Sequence, residues 1–171
     1  LQLIAQRHGP KDDNGNLTAK GKRLATDIAR NYLPGLSITH IVASSTPRAM
    51  ETAGFAEQFL GIEIIRCPEL RGIEYSEEGM ERLIEKIGAS GMPWQIIWRE
   101  GITGFESAEK LISRVSTGLG QIRSKLPATA VVLIVAHEET IWAMRHILQS
   151  VPLETALKET IEPLSFHLFE V

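Results

Sequence analysis

A chain of 171 residues, 43% apolar and 23% charged, is long enough to bury a core of its own and fits one domain, residues 1–171. Its formal charge of −3 gives no electrostatic reason to expect nucleic acid or an anionic membrane as a partner. No window reaches the roughly 18 consecutive apolar residues of a membrane span. The lone cysteine, Cys67, excludes an intrachain disulfide and a cysteine-built metal site. No signal-like layout opens the chain, so a cytoplasmic protein is expected, although a first residue other than Met leaves room for residues ahead of Leu1.

The first element is a short strand with Leu1, Leu3 and Ala5 on its apolar face, delivering Arg7, His8 and Gly9 into a polar loop. Asn16 or Thr18 then caps a helix with Leu24, Ile28, Ala29 and Leu33 at helical spacing, ended by Pro34 and Gly35. Ile38 to Ala43 is the length of a buried strand. After it, Thr46 caps a second helix that has Pro47 in its first turn and runs to Leu60. Ile62 to Ile65 is a third strand. Two successive strand–loop–helix units predict a parallel sheet with helices on its faces.

From Cys67 to Phe105 the pattern weakens. Glu78 to Ile87 predicts a short helix with a solvated Glu-rich face, Gly88 to Pro93 a turn-rich break, and Trp94 to Arg99 irregular chain. A long amphipathic helix begins at Glu106 or Ser107, carries Leu111, Val115, Leu119 and Ile122 on one face, and ends before Pro127. Val131 to Ala136 is the strongest strand of the chain and runs straight into His137. Glu139 to Leu148 returns as helix, and Leu164 to Val171 alternates as an edge strand.

Three positions at strand ends or helix starts stand out: Arg7 with His8, Arg48, and His137. Strand ends on one side of a parallel sheet converge, so residues far apart in sequence can share one crevice. Two guanidinium groups offer planar donors matched to phosphate oxygens, and the helix beginning at Pro47 adds free backbone N–H groups. The substrate this predicts is a phosphate ester or another phosphorylated compound. The rival use of His8 and His137 is metal binding with Asp12, Asp13, Glu138 and Glu139. No metal-ligand spacing supports it, and no metal or cofactor is expected.

The segments QRHG (6–9), LTAKGKRLA (17–25), ASSTPRAMETA (43–53), GFESAEKLISRV (104–115) and VLIVAH (132–137) are similar, in order and separation, to the histidine phosphatase superfamily with its phosphoglycerate-mutase-like fold. The resemblance covers essentially the whole chain. It implies an α/β fold: a three-layer αβα arrangement around a mostly parallel central sheet, of the small phosphatase type, with a small cap-like insert at about 71–105. It also implies that His8 attacks phosphorus to give phosphohistidine while Arg7, Arg48 and His137 hold the phosphoryl oxygens. Water then releases phosphate.

Two departures from the family pattern bear on mechanism. Many relatives place a glutamate, their general acid, directly after Leu-Arg in this region, where Gly72 stands here. Glu138 is the first substitute, because the acid-phosphatase branch of the superfamily carries its proton donor directly after the second histidine; Glu74 and then Glu69 follow. The loop reads RHGPK, and Lys11 adds positive charge near the site. Trp94 and Trp98 in the insert are expected to pack in the core or at its rim.

The expected activity is metal-independent hydrolysis of a phosphomonoester, with a small phosphorylated molecule or a phosphoprotein as partner. The alternatives are a phosphoglycerate-mutase-like phosphomutase, a phosphohistidine phosphatase whose nitrogen leaving group suits a site without a strong acid, and a phosphate-binding regulatory protein that has lost turnover.

Overall fold

The strongest strand of the sequence is the centre of the molecule. In the structure, a computed structural model that describes residues 1–88 and 94–171, β4 (Val131–Ala136) lies between β1 (Gln2–Arg7) and β2 (His40–Ala43), parallel to both. β3 (Ile64–Arg66) extends the sheet in parallel beyond β2, and β5 (Phe166–Glu170) closes the other edge antiparallel to β1, giving the order β3-β2-β4-β1-β5. A strand flanked by parallel neighbours is covered on both faces, which is why β4 reads as an unbroken apolar run. Leu133 and Val135 enter the core on one face, and Val132, Ile134 and Ala136 enter it on the other. The same rule corrects the reading of β1, where Ile4 is buried on the face opposite Leu3 and Ala5.

Helices α1 (Ala19–Asn31) and α2 (Pro47–Leu60) cover the Ile4, Ile41 and Leu133 face. On the opposite face lie α5 (Ala108–Lys125) and α6 (Glu138–Gln149), joined by α3 (Glu77–Ile87), α4 (Trp94–Arg99) and the short α7 (Leu153–Ala156). The result is a three-layer α/β fold around a mostly parallel sheet, as the sequence predicts.

Three local expectations are corrected. Trp94 to Arg99 is helical, because Trp94 and Ile97, three residues apart, bury one face of a single turn too short to show a period. Leu24 is exposed, and the buried face of α1 is Gly21, Ala25 and Ala29. That helix stops at Asn31, and Leu33–Leu36 forms a 3-10 turn, since the ring of Pro34 cannot continue an α-helix. Apart from Gly88, which ends α3 with φ of +61°, the predicted 88–93 break lies outside the described residues. Among the described residues no helix is long and apolar enough to cross a membrane.

The LTAKG segment is a buttress for the loop after β1. Thr18 caps α1 by accepting from Gly21 N–H at 2.9 Å, and its own N–H donates to the Pro10 carbonyl at 2.9 Å. Leu17 is buried beneath Gly9. A Cβ on Gly21 would lie 2.5 Å from the Pro10 carbonyl oxygen, so only glycine lets α1 come this close to the loop.

Helix propensity alone makes Gly→Ala stabilising in a helix interior, and here the two effects oppose each other at one site and not at another. Gly21→Ala should destabilise the protein by about 1–3 kcal/mol through overpacking. Gly120→Ala, on an exposed face of α5 with open space at Cβ, should stabilise it by about 0.5–1 kcal/mol. Urea unfolding midpoints measure both; a rise for Gly21→Ala would remove the close approach as the reason for this glycine.

Candidate active site

β1 and β4 end side by side, Arg7 opposite Ala136, so the residues that follow them, His8 and His137, are carried to one place. Their ring centroids are 5.0 Å apart, and His8 N–H donates to the Ala136 carbonyl at 3.0 Å. Both imidazoles are buried. His8 Nδ1 is 2.7 Å from the Gly9 carbonyl oxygen, which accepts only from an N–H, so Nδ1 carries the proton and Nε2 the lone pair. Arg48 Nε donates to that Nε2 at 3.0 Å. Gly9, in turn, is held by its own N–H donating to Thr52 Oγ1 at 3.0 Å, and Thr52 donates to the Arg48 carbonyl one helical turn earlier.

His137 is fixed from both sides of its ring. Arg48 Nη2 donates to Nδ1 at 3.1 Å, which leaves the proton on Nε2, shared between Ser44 Oγ at 2.9 Å and Thr46 Oγ1 at 3.2 Å. Thr46 was expected as a side-chain cap of α2; its hydroxyl turns to His137 instead, and the helix start is served by Pro47 at its first position. Arg48 therefore bridges the two histidines.

Burial is the largest cause lowering the pKa of His8, to about 4, with the charges of Arg48, Arg7 and Lys11 adding to it and the Gly9 carbonyl opposing. Burial also holds His137 well below the ordinary histidine range, reinforced by His8 and Arg48. Both rings are neutral at pH 7. Arg7 donates to the Ile161 carbonyl through Nη1, which also lies 3.3 Å from Glu138 Oε2, while its Nε is buried with no hydrogen-bond partner among the described residues. Such an orphaned cationic donor is costly unless an anion meets it.

Gly72 lies against this cluster. A Cβ there would stand 3.2 Å from Arg48 Nη2 and 3.3 Å from His137 Nδ1, so position 72 borders the site, and here it is side-chain-free. The segment is pinned by Arg114, whose guanidinium donates to the carbonyls of Glu69, Arg71 and Gly72 and forms a two-pronged pair with Glu106 at 2.7 and 2.8 Å. The GFESAEKLISRV segment thus serves the site through backbone positions that no motif displays.

The remaining predicted residues are placed as follows. Glu138 accepts from Ile161 N–H at 2.9 Å besides facing Arg7. Lys11 is exposed and acts on His8 through its charge. Glu74 is exposed and tied to Arg71 at 2.6 Å, which lowers its pKa. Glu69 accepts from Gln121 at 3.1 Å and from the Cys67 thiol. Trp94 is buried beside Trp98 and Phe105, and Tyr75 stacks on Phe105 at the surface. Among the described residues no group of three or more His, Cys, Asp or Glu is arranged to hold a metal ion. Sequence reading missed Ser44, Thr52, Arg114 and the role of Thr46; all lie inside the matched motifs, and only the fold shows which atoms they hold.

The model of the histidine phosphatase superfamily, branch 1, matches residues 3–171. The chain belongs to that family. A probable phosphoglycerate mutase of Enterobacter sp. (strain 638) is 30% identical over 152 residues, 80% of this chain and 69% of its own length. The native structure of a mycobacterial glucosyl-3-phosphoglycerate phosphatase superposes with a TM-score of 0.81 at 19% identity, over 98% of this chain and 88% of that one. The α-ribazole phosphatase of Shigella flexneri gives 0.79 at 21% identity, over 98% and 89%. These two structures, at such identities, establish a shared fold.

The neutral state of the first histidine is directly measurable. Followed by ring nitrogen NMR, His8 should titrate with a midpoint of about 4. An unfolded histidine takes its proton near 6.5, so between these values the unfolded chain binds more protons and stability should fall as pH drops. A midpoint near 6.5 would contradict the burial argument.

Proposed function

We propose that this member of the histidine phosphatase superfamily hydrolyses small phosphomonoesters through a covalent phosphohistidine at His8, without a metal ion. The observation that carries the reading is the state of His8 Nε2: an unprotonated lone pair on a neutral ring, its other nitrogen locked to Gly9, facing a guanidinium.

Phosphoryl transfer asks a protein mainly for positioning and for neutralising charge on the equatorial oxygens. Arg48 supplies two donors that now rest on His8 and His137, and Arg7 supplies the unpaired Nε. In this reading the phosphoryl oxygens take over the donors of Arg48, and His137 shares in holding them. His8 Nε2 attacks phosphorus, the bond from phosphorus to the leaving oxygen breaks, and water later attacks phosphorus to release phosphate and restore His8. The fixed cations do the charge stabilisation that a metal would otherwise provide.

The 71–105 insert is read as a modest cap over this site, with Tyr75 stacked on Phe105 at its surface. A small phosphorylated molecule in a cytoplasmic setting fits that opening better than nucleic acid or a membrane. The mutase reading draws its support from the likeness to a probable phosphoglycerate mutase.

The test uses p-nitrophenyl phosphate in excess chelator. Wild type should turn over, His8→Ala should lose activity to background, and rapid quenching should trap a phosphoenzyme that is acid-labile and alkali-stable, as a phosphorus–nitrogen bond is. With 3-phosphoglycerate, release of inorganic phosphate supports the phosphatase and formation of 2-phosphoglycerate the mutase. Activity surviving in His8→Ala, or lost to the chelator, would overturn the proposal.

A further inference from the structure

We propose that Glu139 protonates the leaving oxygen, and that the leaving group sits in the cavity of about 430 Å³ that Glu139 shares with Arg7, Glu138, Glu159, Trp94, Trp142, Leu157 and Thr160. This assignment rests on the phosphatase reading above and supplies the step that reading lacks: expelling an alkoxide without a proton donor is slow by a factor of about 10² to 10⁴.

The carboxylates around the site separate by what they already hold. Position 72 has no side chain, and even a Cβ there would press on Arg48 and His137. Glu138 is committed through both oxygens, one to Ile161 N–H and one to Arg7. Exposed Glu74 is tied to Arg71, Glu69 to Gln121 and Cys67, and Glu159, which also lines the cavity, to Arg145. Each of these is turned to other work.

Glu139 differs on every count. It lies in the first turn of α6, two residues after His137, and is partly buried. Among the described residues its carboxyl group makes no salt bridge and no side-chain hydrogen bond, unlike Glu138 beside it. It lines the cavity together with Arg7. Burial and the neighbouring Glu138 raise its pKa against the pull of Arg7 and Arg48, which favours a carboxyl group still holding a proton.

The steps balance. As His8 Nε2 bonds to phosphorus and the ester bond breaks, the Glu139 carboxyl gives its proton to the leaving oxygen, releasing an alcohol. Its carboxylate then takes a proton from the attacking water as the phosphorus–nitrogen bond breaks, returning Glu139 to its starting state. Glu138, by contrast, is a positioning residue acting through Arg7.

The experiment compares kcat/KM for glycerol 2-phosphate, whose alkoxide needs protonation, with p-nitrophenyl phosphate, whose phenolate does not. In Glu139→Gln the loss on the alkyl ester should exceed that on the aryl ester by about 10²- to 10⁴-fold. Across aryl phosphates of rising phenol pKa, the fall of log kcat/KM should steepen relative to wild type. Each slope is taken within one protein, so a partly unfolded preparation does not alter it. Glu139→Asp should restore part of the alkyl activity, and Glu138→Gln should depress both esters alike. Equal losses on both esters with an unchanged slope in Glu139→Gln would overturn the assignment alone, as would a leaving-group-dependent loss in Glu138→Gln. Absence of wild-type turnover on either ester would overturn the phosphatase reading and the assignment with it.

Discussion

The hydrogen bond from His8 Nδ1 to the carbonyl of the very next residue, 2.7 Å long, is the contact on which the site depends. It decides which nitrogen carries the proton, and so leaves the lone pair of Nε2 on the side facing Arg48. A carbonyl one residue away can do this only if the loop after β1 is immobile, and the loop is held from four directions. β4 takes the His8 N–H, Thr52 takes the Gly9 N–H, Thr18 takes the Pro10 carbonyl, and the bare backbone of Gly21 lets α1 close against it. The motif segments at 17–25 and 43–53 are thus the mould in which one tautomer is cast.

The second constraint is electrostatic. Two arginines and two histidines cannot all be charged in so small and dry a volume, and the structure resolves the conflict by leaving both imidazoles neutral. The arginines keep their charge, and Arg7 has one carboxylate of the α6 first turn, Glu138, in contact with it. The balance is incomplete by design of the geometry, since Arg7 Nε has no partner among the described residues and two donors of Arg48 rest on neutral rings. An incoming phosphoryl group meets donors that are oriented but under-compensated, a better arrangement for binding an anion than either fully paired or fully solvated guanidinium groups.

How much of this was legible in the sequence follows from the range of the interactions. Hydrophobic runs and turn residues are local, so β4, the capped starts of α1 and α5, and the strand–helix order could be read directly. The convergence of His8 and His137 needed only the rule that parallel strands end together, which β1 and β4 obey residue for residue. What stayed hidden depends on tertiary contact. Trp94 to Arg99 is too short to show a helical period, and Leu24 satisfies the helical spacing of α1 while facing solvent. Thr46 has the composition of a cap, yet its hydroxyl serves a histidine 91 residues away. Arg114 reads as one more cation on an amphipathic helix until three backbone carbonyls are found pointing at it.

Gly72 shows how these constraints meet. The space that its side chain would occupy lies within contact distance of Arg48 and His137, and Arg48 uses that freedom to bridge both histidines. A side chain at this position would press on the Arg48 guanidinium and the His137 ring, which would have to give by a few tenths of an ångström. Arg114 holds the Gly72 carbonyl, so the segment is fixed against this cluster. The start of α6, the helix that follows His137, presents two glutamates. One of them is held by Arg7 and a backbone N–H, and the other faces the cavity without a partner side chain among the described residues. The proposed acid thus stands on the element where one glutamate is left without a side-chain partner while its neighbour anchors Arg7.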